Sequence, residues 1–203
     1  NDEVTPSFRA YVQRVLDNDS EDMINLDIRN PQKSAKLFYE AAISRPFTRV
    51  CDFAKEMELI KSTNPWKPDH PQSVVSEKLI NAIFKLIKND FKEFELRGST
   101  NARFPVGLSA FICELFKVKM MTVAEFYSYA SRMKEIALQK PTMCTAMCFF
   151  IFFRVFVNNE ELNDFYEELK NGKIELDKFY LLKMEFSDEF LDSVDCVNVL
   201  QLK

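Results

Sequence analysis

Apolar residues recur along this chain with the period of a helix. Within residues 104–120, Leu108, Phe111, Ile112, Leu115 and Phe116 stand at i, i+3, i+4, i+7 and i+8. At about 3.6 residues per turn that spacing makes one apolar stripe. Ser109, Glu114, Lys117 and Lys119 lie mostly off the stripe. Pro105 is tolerated near a helix start, where its missing N–H would have no partner anyway. Thr122 opens the next helical pattern after a very short connection. Two helices joined so tightly should run antiparallel as one hairpin, with similar hairpins stacked on either side.

The same period continues in both directions. Thr5 and Pro6 open a first helix carrying Phe8, Tyr11, Val12, Val15 and Leu16. Ser20 is placed to cap a short helix with Met23 and Ile24. Asn30 and Pro31 start another, with Ala35, Phe38, Ala41 and Ala42 on one face, and Pro46 ends it. Phe47, Val50, Cys51, Ala54 and Met57 mark the next. Ser73 or Ser76 is expected to cap a long helix reaching Leu96. Leu79, Ile80, Ile83, Phe84, Ile87, Phe91 and Phe94 form its inner face; Lys78, Lys85, Lys88 and Lys92 form its outer one.

After Thr122, the residues Val123, Phe126, Ala130, Met133 and Ala137 trace the second helix of the hairpin. Residues 143–157 are apolar almost all round, the pattern of an innermost helix. Asn159 caps a helix with Leu162, Phe165, Tyr166 and Leu169, and Asn171 with Gly172 reads as its C-terminal stop. Residues 173–184 form one more helix. The pattern predicts an all-α fold, a HEAT-type α-solenoid of about five helical hairpins. Residues 1–184 make one domain, and 185–203, acidic and then apolar, make a C-terminal tail suited to docking.

Composition agrees with this class. A length of 203 residues, 47% hydrophobic and 29% charged, suits one globular domain. With 3 glycines against 20 phenylalanines, the chain lacks the turn residues of sandwiches and dinucleotide-binding folds. A net charge of −4 argues against a globally basic nucleic-acid binder, though a local basic patch remains open. The polar start, residues 1–5, is not a secretory leader, and beginning at Asn1 instead of Met suggests a piece of a longer protein. The most apolar run, residues 144–153, falls short of the about 20 residues a spanning helix needs. The expected compartment is cytoplasmic or nuclear.

Chemistry-bearing constellations are missing from the sequence. There is no glycine-rich phosphate loop, nucleophile elbow or histidine metal pair. Cys144 and Cys148 share a helix face at i and i+4, but His70, the one histidine, lies in a proline-rich loop far away. Five cysteines in helical settings read as free, mostly buried thiols in a reducing compartment. The chain is therefore expected to be a binding module, not an enzyme, with no cofactor, metal or small-molecule substrate.

The segment around the central helix also carries a family resemblance. Residues 108–122, with the run from Cys113 to Thr122, resemble a central helix of the middle domain of eukaryotic initiation factor 4G. Residues 33–57, with Lys36 to Ala42 and Phe47 to Met57, resemble that family's preceding helix pair. Residues 84–94, ending Asn89 to Phe94, resemble the helix before the central one. Together these segments fall within residues 8–170. The resemblance implies a HEAT domain and a protein–protein scaffold in translation initiation or mRNA regulation. Its partner would be a DEAD-box RNA helicase of the factor 4A type, with RNA as a further ligand. Two other classes fit the same pattern: a direct RNA-binding module, and a structural HEAT-like dimerisation module unrelated to translation.

A basic cluster within an acidic protein is the natural candidate surface. Lys117, Lys119, Arg132 and Lys134 around the central hairpin are the first choice. Lys85, Lys88 and Lys92 on the long helix are secondary candidates, as is Trp66 in the proline-rich loop.

Overall fold

The computed structural model describes residues 3–19, 27–62, 71–98, 103–179 and 186–192. Among these, nine α-helices and two short 3-10 turns are present, and no strand. The helices are α1 Pro6–Leu16, α2 Pro31–Ser44, α3 Cys51–Ser62, α4 Pro71–Arg97, α5 Arg103–Lys117, α6 Val123–Gln139, α7 Met143–Val157, α8 Asn163–Asp177 and α9 Asp188–Asp192. The 3-10 turns are Phe47–Arg49, leading into α3, and Glu160–Leu162, leading into α8. The expected short helix after Ser20 and the loop holding Trp66 and His70 lie outside the described residues.

Local sequence explains four of the helix starts directly. The side chains of Thr5 and Asn30 accept from the backbone N–H groups of Phe8 and Lys33, each followed by a proline at the first helical position. Thr122 with Glu125, and Thr142 with Thr145, form reciprocal capping boxes. Where α5 ends, Lys119 takes a left-handed φ of 63°. Its N–H donates to the Phe116 carbonyl and that of Met120 to the Leu115 carbonyl, closing the helix without a glycine.

Helix α5 is the centre of the packing. It touches α2, α3, α4, α6 and α7. Leu108, Phe111, Ile112, Leu115 and Phe116 are all buried, as the stripe predicts. Burial goes further: Val106, Ser109, Ala110 and Cys113 on the other faces are buried too. The Ser109 hydroxyl is satisfied within its own helix, donating to the Pro105 carbonyl at 2.7 Å. Among its described side chains, only Phe104, Glu114 and Lys117 reach solvent. A helix covered on all sides cannot pack chiefly against its hairpin partner, and α5 packs most extensively on α7 and α2, less on α6.

Helix α7 is the second buried layer. Phenylalanines fill the space around it: Phe126 of α6 stacks at 4.2 Å on Phe116 and at 5.3 Å on Phe156. Packing between alternate helices recurs, in α2 with α4, α3 with α5, α4 with α6, α5 with α7 and α6 with α8. No single helix among the described residues is long and apolar enough to cross a membrane. The segments Met143–Val157 and Glu160–Asp177 reach that length only as a pair bent by 107°.

Several boundaries differ from the sequence pattern. Helix α4 begins at Pro71, ahead of Ser73 and Ser76, because a proline in the first turn loses no hydrogen bond and presets φ. Phe47 belongs to a 3-10 turn, not to α3. Asn171 and Gly172 do not stop a helix: α8 runs through them to Asp177, with no break at residue 173. Gly172 is there for close approach, since a Cβ at that position would lie 2.5 Å from Lys134 Cδ. In the tail, Phe186 and Leu191 are buried in the common core.

Two half-buried carboxylates lie against tyrosines at a cost. Glu56 accepts a hydrogen bond from the Tyr11 hydroxyl at 3.1 Å, and Asp90 lies beside Tyr39. Burial holds both above the ordinary carboxylate range. A raised folded-state value means the folded chain binds protons that the unfolded chain does not. Stability should therefore rise as pH falls from neutral towards the ordinary carboxylate range, and be lost as pH rises through the folded values. Urea midpoints measured across that range should show the rise in the wild-type chain and a flatter profile in Glu56→Gln/Asp90→Asn. An unchanged slope in the double variant would contradict this origin.

Candidate partner-binding surfaces

The four first-choice cations do not form one patch. Lys117 closes α5 and pairs with Glu114 at 3.0 Å. Lys119 is exposed in the turn that follows. Arg132 turns towards α4, where its Nε and Nη2 donate to the two Glu95 oxygens at 3.0 and 2.9 Å. Its guanidinium also lies 4.7 Å from the Phe91 ring centre. That hydrogen-bonded fork, more than the charge alone, holds the Glu95 carboxyl below its usual range. Lys134 turns towards α8, with Nζ 3.8 Å from both Glu135 and Glu168 and a side chain only 11% exposed. Arg132 and Lys134 thus tie α6 to α4 and α8.

Of the secondary candidates, Trp66 lies outside the described residues, while Lys85, Lys88 and Lys92 share a face with Lys78. Lys78, Lys85, Lys88 and Lys92 are exposed on α4, and none of them joins an ion pair among the described residues. At about 100° per residue, Val74, Lys78, Asn81, Lys85, Lys88, Asn89, Lys92 and Leu96 occupy one arc of about 100°. The arc contains no carboxylate; Glu77 and Glu95 flank it on one side and Glu93 on the other. The lysines run along about 21 Å of helix at 1.5 Å per residue. Exposed apolar side chains sit at both ends, Val74 at 40% and Leu96 at 61%. The signal was present in the sequence as a lysine row, but it looked no different there from a solvated face.

A cleft of about 480 Å³ lies at the C-terminal ends of α5 and α7, beside the 3-10 turn Phe47–Arg49. Phe47, Thr48, Cys113, Glu114, Lys117, Ile151, Arg154 and Asp188 are among its walls. Sequence reasoning passed over Arg154, although a lone cation inside the apolar run of α7 signals a partner nearby. Arg154 Nη1 donates to Asp188 Oδ1 at 2.8 Å, and the guanidinium lies 5.4 Å from the Phe47 ring centre. Burial pushes the Cys113 thiol upward, so this wall of the cleft offers no ready thiolate.

No family model, curated protein or solved structure matches this chain. The surfaces themselves therefore carry the functional argument. Among the described residues no group of three or more His, Cys, Asp or Glu side chains is placed to hold a metal ion. Cys113, Cys144 and Cys148 are buried free thiols.

Proposed function

We propose that the chain is a protein–protein scaffold of translation initiation or mRNA regulation, acting in the cytoplasm without catalysis of its own. Its partner on this reading is a DEAD-box RNA helicase of the factor 4A type, held on a HEAT-type α-solenoid. The sequence resemblance to the factor 4G middle domain supplies the partner class. Packing between alternate helices supports the solenoid reading, since stacked helical pairs bring every second helix together.

The observation that carries the proposal is the outer face of α4. A stripe of four lysines without a carboxylate, on a chain of net charge −4, is a surface for a large acidic partner. Its exposed apolar ends add anchoring area that a merely solvated face would not need. The test is co-elution of the full chain with purified, nuclease-treated helicase on size exclusion. A complex that survives nuclease supports the proposal; separate elution at micromolar concentrations of both proteins contradicts it.

The same lysine face favours one second reading, direct contact with an RNA backbone. That reading predicts affinity for single-stranded RNA falling steeply with salt, roughly 0.7 log units per phosphate neutralised for each log unit of salt. Protein–protein docking predicts a shallower dependence and indifference to nuclease.

A further inference from the structure

The molecule carries two charged rows of opposite sign on different helices. The first is the lysine row of α4, exposed and outside every ion pair among the described residues. The second lies on α8. At about 100° per residue, Asp164, Glu167, Asn171 and Glu175 occupy one arc of about 80°. All four are exposed, and none of the three carboxylates joins an ion pair among the described residues. Glu160 and Glu161, exposed in the 3-10 turn before α8, extend the acidity past the helix start. Lys170 and Lys173 lie off the arc, and Lys178 stands beyond the helix end.

The rows match in more than sign. Asp164 to Glu175 run along about 16 Å of helix at 1.5 Å per residue, against about 21 Å for the lysines. Each row ends beside exposed apolar side chains, Ile174 and Phe179 for the acidic one, Val74 and Leu96 for the basic one. Helix α6 stands between them. Arg132 reaches Glu95 of α4, and Lys134 reaches Glu168 of α8, from points about 200° apart around α6. Those pairs satisfy one carboxylate at the edge of each row and leave the rows themselves without a counter-charge in their own chain.

We propose that the α8 row of one copy of this chain docks on the α4 row of a second copy. Complementary charge would speed the encounter and fix the register, while the exposed apolar ends supply anchoring area. The two surfaces are unlike. The contact closes as a two-fold pair where each copy's α4 meets the other's α8, and extends head to tail otherwise. The α4 row is also the proposed helicase face, so a second copy and a helicase compete for it. Only self-association uses α8, and it holds whether or not the other partner is a helicase.

The test is the weight-average mass of the full chain by sedimentation equilibrium across a concentration series. The wild-type mass should rise above that of one chain at micromolar concentrations in low salt, and fall back towards it in high salt. Glu167→Lys/Glu175→Lys and Lys85→Glu/Lys88→Glu/Lys92→Glu should each weaken association at least tenfold. Mixing the two variants should restore it, because the mixture offers one intact row of each sign. Circular dichroism checks folding, and Glu167→Gln/Glu175→Gln serves if the charge reversal on α8 does not fold. A wild-type chain that stays monomeric throughout would overturn the proposal. So would a folded α8 variant that associates like the wild-type chain, or a mixture that stays monomeric. The α8 variant keeps its lysine row, so its titration with helicase reports on the helicase reading separately.

Discussion

Gly107→Ala should abolish cooperative folding, or lower stability by about 3 kcal/mol or more. A Cβ at Gly107 would lie 1.9 Å from the Ile43 carbonyl oxygen and 2.8 Å from its carbon. Both contacts are with backbone, so no rotamer change relieves them. Helix α5 would have to move off α2, and α5 is the helix against which most others pack. The other two glycines serve as internal controls. Gly172→Ala would displace the stem of Lys134, a side chain and not backbone, while gaining helix propensity, so its cost should stay within about 2 kcal/mol. Gly98→Ala has open space but a φ of +73°, and should cost about 1–2 kcal/mol from backbone strain alone. Thermal melts of the three variants should rank them with Gly107→Ala far below the rest. A Gly107→Ala variant as stable as Gly172→Ala would contradict the α2–α5 contact.

Leu115→Asp should leave no soluble folded protein. Leu115 is fully buried in the last turn of α5. Removing a buried leucine side chain costs about 2–5 kcal/mol, and an unpaired carboxylate in its place adds several more. Typical total stability is about 5–15 kcal/mol. Two residues away, Lys117→Asp loses one surface pair with Glu114 and puts an anion near a helix C-terminus. It should cost at most about 1 kcal/mol. The soluble fraction and urea midpoint of the two variants measure the contrast; similar behaviour would mean that the buried face of α5 is misassigned.

Periodicity made the helices legible, because an apolar stripe reports directly which side of a helix faces protein. It could not report that α5 is covered on every side. Ser109, Gly107 and Cys113 interrupt the apolar pattern, yet small side chains there mark close approach, not a wet face. Gly172 misled for a related reason. A glycine serves either a left-handed backbone or a tight contact, and sequence alone does not separate the two. Of the left-handed positions among the described residues, Asn18, Gly98 and Lys119, two are not glycines.

The candidate site was less legible than the fold. Arg132 and Lys134 are neighbours in sequence but about 200° apart around a helix, so they had to face different elements. The structure gives them Glu95 and Glu168. The contacts of Thr48 with Asp192 and of Arg154 with Asp188 join residues separated by 144 and 34 positions, and no local pattern announces such contacts. Only the lysine row of α4 kept its grouping, because four residues at i, i+7, i+10 and i+14 stay on one side of any helix.

That row decides the functional account. The measurement is a titration of purified, nuclease-treated factor 4A-type helicase against the full wild-type chain and against Lys85→Glu/Lys88→Glu/Lys92→Glu, at low and physiological salt. All three lysines are exposed and free of ion pairs among the described residues, so the variant should fold with an unchanged melting profile. The expected result is wild-type binding that weakens at least tenfold in the variant, with the difference larger at low salt. A folded variant that binds the helicase as tightly as the wild-type chain in both salts, or a wild-type chain that binds in neither, would contradict the account.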